Sequence, residues 1–154
     1  MVKTFVLVCL LFGFVTAEAE KLKVVTTTTM IYDAVKQIGA NRVQVEGLMG
    51  AGVDPHLYKP AASDVIKLTK ADIVFYNGLA LEGKMADLFS RLQKQGKPVY
   101  AVTETISKAK LLKPDGVQGH WDPHVWGDPD LWIECVSLIA ENLMKADPII
   151  APLL

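Results

Sequence analysis

The sequence lacks the features that mark several common classes of protein. Its 154 residues include two cysteines, too few for a fold built on disulfides, and 16 basic against 17 acidic residues, so that the formal net charge is −1. A chain of this charge has no polybasic surface, and we predict no nucleic-acid partner. It also contains no nucleotide-binding glycine motif and neither of the motifs G-x-S-x-G and H-E-x-x-H, which argues against familiar hydrolytic sites.

Long apolar runs are also missing, because the longest one, residues 5–15, is too short to cross a bilayer as a helix. Lys3 precedes this run and small residues follow it, a pattern typical of a cleavable secretory signal, which we predict over residues 1–19. A buried first strand is the alternative. Cys9 lies too near the start of the chain to be a lipid-accepting cysteine, so we expect a soluble exported protein. Cys135 falls in a helical, apolar pattern and is interpreted as a buried side chain.

Short apolar runs of strand type alternate with helical patterns from residue 20 onward. Runs of β-branched or alternating residues predict strands, and apolar residues at spacings of three and four predict amphipathic helices between them. Strands are expected at 22–26, 43–49, 72–76 and 98–102, and helices over 31–39, 63–68, 84–95 and from 129 onward. Strands that are apolar on both faces favour an α/β fold, a four-stranded and mainly parallel sheet with helices on both faces.

Polar residues stand where several of these helices are expected to begin. Ser63 and Asp64 are interpreted as the cap of the second helix, and Asp128 as the N-cap of the last one, with Pro129 in its first position. Glu82, in the stretch NGLALEGKM, has two readings: a base in a functional site, or a solvated carboxylate at a helix start. We favour the solvated carboxylate.

One tripeptide, Asp-Pro-His, occurs twice, as residues 54–56 and 122–124. Proline fixes its own φ and pushes the preceding residue towards extended geometry, so both histidines are expected on loops. The first copy follows the second predicted strand, as the Asn77-Gly78 loop follows the third, and sheets of this kind bind ligands beyond the carboxyl ends of their strands. We therefore expect His56 and His124 to meet at this edge of the sheet.

Two converging histidines are half of a transition-metal site. Neutral imidazole is the commonest side-chain ligand for such metals, and a site has four or five ligands, so His56 and His124 are the candidate metal ligands. Asp54 and Asp122 have two readings that the sequence leaves open: a carboxylate that orients the imidazole, or an Asx-turn residue that shapes the loop. The third histidine, His120, is interpreted as an exposed side chain.

Four stretches, in this order, resemble the motifs of a known family: VVTTTTMIYDAV, GLMGAGVDPHLYKPAASDV, ADIVFYNGLALEGKM and DPHVWGDPDLW. They are similar to the zinc/manganese solute-binding proteins of bacterial ABC transporters, the TroA-like or cluster A-I group, from about residue 22 to residue 147. The resemblance implies that His56 and His124 are the first two ligands of a divalent metal, Zn²⁺ or Mn²⁺, which is carried through the periplasm to a membrane permease. It implies a binding protein and not an enzyme.

Members of that family hold the metal between two α/β lobes, and a His or Glu and an Asp or Glu of the second lobe complete the site. After the predicted signal at 1–19, the resemblance implies an N-terminal metal-binding lobe at 20–147 and a truncated or aberrant tail at 148–154. The second lobe is expected to be absent and metal binding to be impaired. The absence of histidine from residues 104–119 favours a mixed manganese/zinc type over a dedicated zinc protein.

Two other functions stay as alternatives. Relatives of the family have been described as adhesins, so a lone lobe with exposed tryptophans would be an interaction protein without a transport role. A metallohydrolase built on His56 and His124 would need a third protein ligand and a base, for which the sequence offers only His120 and unplaced carboxylates. Metal capture for uptake is the leading hypothesis, and the sequence leaves the oligomeric state open.

Overall fold

A computed structural model describes residues 20–114 and 119–150 and contains four strands, β1 Leu22–Thr26, β2 Val43–Gly47, β3 Ile73–Tyr76 and β4 Val99–Ala101. The strands pair in parallel in the order β2-β1-β3-β4. The predicted four-stranded sheet is therefore confirmed, and all of its pairings are parallel. β2 ends earlier than the predicted boundary at Met49, because the chain turns away into the loop that carries the first Asp-Pro-His.

Four helices connect or follow the strands, as predicted. They are α1 Thr29–Gly39, α2 Ala62–Lys70, α3 Ala86–Lys94 and α4 Pro129–Ala146, and short 3₁₀ helices lie at Ala40–Arg42, Gly83–Met85, Lys108–Lys110 and Val125–Gly127. Across the ranges described, none of these helices combines the length and apolar character needed to cross a membrane. The predicted signal at 1–19 and the last residues of the predicted tail, 151–154, lie outside the described residues.

Successive residues of the central strands point to opposite faces of the sheet and enter two separate cores. Val24 belongs to a core with residues of α1 and α4, and Val25 to a core with residues of α2 and α3. Burial of each large apolar side chain contributes about 1.5–3 kcal/mol to stability. The first core includes Ile31, Val35, Phe75, Leu138, Ile139 and Leu143, and the second includes Leu68, Val74, Phe89, Leu92 and Val99. Helices on both faces of the sheet confirm the predicted α/β architecture.

Cys135 lies on α4 in the first of these cores, as the sequence pattern predicts. Its side chain is completely buried, and burial raises the pKa of the thiol to about 12. The thiol is therefore protonated at neutral pH and acts as a small apolar group in the packing.

The two helix starts singled out in the sequence behave differently. Asp128 caps α4 as predicted, because its carboxylate accepts hydrogen bonds from the backbone N–H groups of Asp130 and Leu131. The prediction that Ser63 caps α2 is wrong, since this helix begins at Ala62.

The start of α2 is held from inside the helix. The carboxylate of Asp64 reaches back and accepts a hydrogen bond of 2.8 Å from the backbone N–H of Ala61, the residue before the first turn. The same oxygen accepts a hydrogen bond of 2.8 Å from the hydroxyl of Tyr58. The N–H of Asp64, which a hydroxyl at the N-cap would otherwise accept from, already donates to the carbonyl of Ala61 at 3.0 Å, so this helix begins without a hydroxyl at its N-cap.

Gly39 offers a test of the packing at the end of α1. A Cβ atom at this position would lie 2.4 Å from both methyl groups of the buried Val43. We therefore expect Gly39→Ala to destabilise the chain by about 1–3 kcal/mol, because side chains in a packed core have no room for an added methyl group. Urea unfolding followed by circular dichroism measures the effect. Gly50→Ala is the matched control, since nothing lies within 4 Å of its Cβ position, and equal midpoints for the two variants would contradict the expected crowding.

Candidate metal centre

The two predicted histidines meet at the edge of the sheet where the parallel strands end. His56 lies on the loop between β2 and α2, and His124 lies on the segment between β4 and α4. Although the two residues are 68 positions apart in the chain, their Nε2 atoms are 3.3 Å apart. Their ring centroids are separated by 5.4 Å, with an angle of 53° between the ring planes. The structure thus brings the two residues together with the same ring nitrogen of each facing the other.

The separation of the two nitrogens fits the coordination of one metal ion. Two imidazole nitrogens that bind one zinc ion at about 2.05 Å, with the tetrahedral angle between them, lie about 3.3 Å apart. The Nε2 atoms of His56 and His124 have this spacing already. An ion could therefore be bound by both rings with little movement of either loop.

Asp122 fixes the ring of the second histidine. Its Oδ1 accepts a hydrogen bond of 3.0 Å from the backbone N–H of His124 and lies 2.6 Å from Nδ1 of the same residue. These two contacts hold the pKa of Asp122 below its usual range, and the bond from the backbone N–H has the larger effect. An ionised carboxylate can only accept, so the proton of the neutral ring is on Nδ1 and the lone pair is on Nε2.

Asp54 acts differently on the first histidine. Its Oδ1 accepts a hydrogen bond of 2.9 Å from the backbone N–H of His56, which is the bond of an Asx turn. Among the described hydrogen bonds, none joins this carboxylate to the imidazole ring. The two readings of the aspartates therefore apply to different copies of the tripeptide: Asp54 shapes its loop, and Asp122 both shapes its loop and orients the ring.

The other side chains near the pair do not extend it into a larger cluster. Trp126 packs its ring edge-on to His124, with 5.2 Å between the ring centroids. His120 is exposed, as the sequence analysis expects. Within residues 20–114 and 119–150, no group of three or more histidine, cysteine, aspartate and glutamate side chains is placed to hold a metal ion. The described part of the chain therefore offers two candidate ligands at this site, His56 and His124.

Glu82, interpreted from the sequence as a solvated carboxylate, is in fact buried, with only 4% of its surface exposed. Its Oε1 accepts hydrogen bonds from the hydroxyl of Thr27 at 2.7 Å and the backbone N–H of Asn77 at 2.8 Å, and its Oε2 accepts from the N–H of Gly78 at 3.2 Å. Burial raises the pKa of Glu82, although these hydrogen bonds oppose the rise. Leu81 and Met85, the apolar residues near it in the sequence, are buried as well.

The turn before Glu82 has an unusual backbone. Gly78, Leu79 and Ala80 have φ values of 87°, 51° and 63°, and the N–H of Leu81 donates to the carbonyl of Gly78 at 3.0 Å. Positive φ at both central residues is the geometry of a type I′ turn, which normally uses glycine or asparagine. Leucine and alanine in this conformation cost about 1–3 kcal/mol each, and such residues persist where surrounding contacts hold them.

Asn77 connects this turn to the second histidine segment. Its side-chain Nδ2 donates a hydrogen bond of 3.0 Å to the carbonyl of Pro123, the residue directly before His124, and a second of 3.2 Å to the carbonyl of Gly78. The hydroxyl of Thr103 donates to the carbonyl of Asn77 at 2.7 Å. The end of β3 is therefore bonded to the loop that carries His124.

Comparison with known proteins finds similarity along most of the chain. Residues 24–152 match the sequence profile of a family described as zinc-uptake complex component A, periplasmic (ZnuA). The manganese-binding lipoprotein MntA of Bacillus subtilis is 47% identical over 129 residues, which cover 84% of this chain and 42% of that protein. The manganese ABC transporter substrate-binding lipoprotein scaA of Streptococcus gordonii is 34% identical over 137 residues, covering 86% of this chain and 44% of that protein.

The zinc-binding protein TroA of Treponema pallidum is 47% identical over 138 residues, which cover 89% of this chain and 44% of that protein. Its solved structure, a periplasmic zinc-binding protein, superposes with a TM-score of 0.79 over 84% of this chain and 46% of the other. The present chain thus spans less than half the length of the curated relatives it matches.

The two aspartates of the repeated tripeptide can be separated by experiment. Asp122→Ala should release the ring of His124 from its Nδ1–H form, because it removes the contact at 2.6 Å. Long-range ¹H–¹⁵N spectra of the imidazoles report the position of the proton directly. Asp54→Ala is the matched control, since it also removes an Asx turn but no ring contact, and it should leave the ring form of His56 as it was. Unchanged ¹⁵N chemical shifts of the His124 ring in Asp122→Ala would show that the carboxylate does not set the tautomer.

Proposed function

Because the chain belongs to the family of periplasmic zinc-uptake components, we propose that it captures a divalent metal ion for an uptake system, with His56 and His124 as ligands. The observation that carries this proposal is the 3.3 Å separation of the two Nε2 atoms, which fits two ligands of one ion. The relatives described above, which are named for zinc or manganese binding, support it.

The ion is the cargo of the protein, and Zn²⁺ or Mn²⁺ is the proposed cargo. With the proton of His124 on Nδ1, its Nε2 can accept a hydrogen bond from His56, 3.3 Å away, when His56 carries its proton on Nε2. Capture of an ion requires His56 to carry its proton on Nδ1 instead, so that both Nε2 lone pairs face the metal. Only a change of tautomer at His56 is needed, because Asp122 already holds His124 in the binding form.

Two imidazoles leave the other positions around the ion to be filled. Water, or groups beyond the described residues, would fill them, as a second lobe does in the family that the sequence resembles. Imidazole suits zinc, whereas manganese prefers more carboxylate oxygen, so the groups that complete the shell would decide which metal is preferred.

The proposed partner is the membrane permease of an ABC transporter, because one relative is named as the substrate-binding component of such a system. The proposed location is the outer side of the cytoplasmic membrane, as for relatives named as periplasmic proteins or lipoproteins. Leu57, next to His56 in the chain, is 65% exposed. No contact or relative described above favours the adhesin-like alternative, and the relatives are named as metal-binding proteins and not as enzymes.

Replacement of the histidines one at a time tests the site. Isothermal titration with Zn²⁺ and Mn²⁺ should give one ion for each chain, and His56→Ala or His124→Ala should weaken binding at least tenfold, or about 1.4 kcal/mol, since each removes one of two protein ligands. The exposed His120 provides the matched control, and His120→Ala should bind as the parent does. Equal affinities for all three variants would place the metal elsewhere. Far-UV circular dichroism confirms that each variant is folded.

A further inference from the structure

Glu82 lies in a position that its burial alone does not explain. Within the described residues no lysine or arginine pairs with this carboxylate, and its partners are the hydroxyl of Thr27 and the backbone N–H groups of Asn77 and Gly78. These partners follow the carboxyl ends of β1 and β3, the two central strands. A buried carboxylate without a cation is stabilised only by such donors, so Glu82 ties the two strand ends together.

The first contact leads towards His56. The carbonyl of Thr27 accepts a hydrogen bond of 3.0 Å from the N–H of Met49, where the chain leaves β2 for the loop of the first tripeptide. On the other side of His56, the hydroxyl of Tyr58 donates to the carbonyl of Leu48 at 3.3 Å. The loop that carries His56 is therefore closed at Leu48. The next residue, Met49, is bonded to Thr27, which is in turn bonded to Glu82.

The second contact leads towards His124. The N–H of Asn77 is bonded to Glu82, and the side chain of Asn77 donates to the carbonyl of Pro123 at 3.0 Å. Pro123 directly precedes His124, so a shift of Asn77 would move the backbone that carries this imidazole. Among the groups described above, Glu82 is the one that bonds both to Thr27, which leads to the His56 loop, and to Asn77, which leads to the His124 loop.

The turn at Leu79 and Ala80 supports a role beyond packing. Both residues have positive φ, although a glycine at either position would relieve the conformation, and the turn brings Glu82 back under the strand ends. Strained backbone of this kind is retained where surrounding contacts over-determine it, and it clusters at functional sites.

We propose that Glu82 is a positioning residue that sets the separation of His56 and His124 through Thr27 and Asn77, without being a metal ligand. This inference rests on the proposed function of the two histidines. It assigns a task to a residue that belongs to neither copy of the tripeptide. It also predicts that the two rings separate in the metal-free chain when the carboxylate is removed.

The test begins with the metal-free chain. In the parent protein, a nuclear Overhauser effect should connect the Hε1 protons of His56 and His124, whose rings are 5.4 Å apart between centroids. Glu82→Gln keeps the size of the side chain but replaces one of the two accepting oxygens with an NH₂ group, which cannot accept a hydrogen bond. We therefore expect it to reduce this cross-peak at least twofold. Asn142→Leu is the matched control, since it removes another buried polar group, on α4, and should leave the cross-peak unchanged.

Zinc titration supplies the second measurement. Glu82→Gln should weaken Zn²⁺ binding at least tenfold while its thermal midpoint stays within a few degrees of the parent, because a neutral amide is easier to bury than a carboxylate. Asn142→Leu should show the opposite pattern, a lower midpoint with the parent affinity. If Glu82→Gln does not fold, Thr27→Val and Asn77→Ala each remove one route and should weaken binding separately.

The outcomes distinguish the inference from the function beneath it. The inference is overturned if Glu82→Gln folds and keeps the cross-peak of the parent. It is also overturned if both Glu82→Gln and Asn142→Leu lose zinc affinity in proportion to the fall in their thermal midpoints. Failure of the parent chain to bind zinc or manganese overturns the proposed function alone, because the metal-free cross-peak still reports whether Glu82 positions the rings.

Discussion

Parallel pairing brings the carboxyl ends of all four strands to one edge of the sheet, and the groups of the candidate metal centre follow those ends. Backbone groups at such an edge lose their partners in the sheet and need others. Here the carbonyls of Thr26 and Thr27 accept hydrogen bonds from Leu48 and Met49, and the N–H groups that follow β3 are bonded to Glu82. The hydrogen bonding that the sheet leaves unfinished is thus what orders the loops of both histidines.

The two copies of Asp-Pro-His have the same sequence, but their histidines are held by different hydrogen bonds. The second copy is fixed twice, because Asp122 bonds both the backbone and the ring of His124. In the first copy, Asp54 bonds only the backbone of His56, whose ring contacts His124 but, among the described hydrogen bonds, no carboxylate. If the two rings share an ion, as proposed, His124 would present an oriented lone pair, and His56 would be the ring that adjusts.

Much of the fold follows from local patterns, which explains why the sequence predicts it. The strands and helices are short, apolar on the expected faces and bounded by strong signals such as Asp128-Pro129, and the repeated tripeptide marks both histidines. The environment of Glu82 was not predictable in this way. Its burial depends on Leu79 and Ala80 adopting a turn that their residue types disfavour, and on donors from two distant strands. The error at Ser63 has a different, local cause: the helix begins one residue earlier than expected, and Asp64 bonds to Ala61 from within its first turn.

The burial of Cys135 has a consequence for the proposed capture of a metal ion. Thiolate sulfur competes strongly with imidazole for zinc, and an accessible thiol is also open to oxidation. The one free thiol in the described ranges is wholly enclosed and protonated at neutral pH. In the described ranges, an ion bound between the two histidines would therefore meet no accessible thiolate, and the enclosed sulfur of Cys135 is shielded from oxidants in solution.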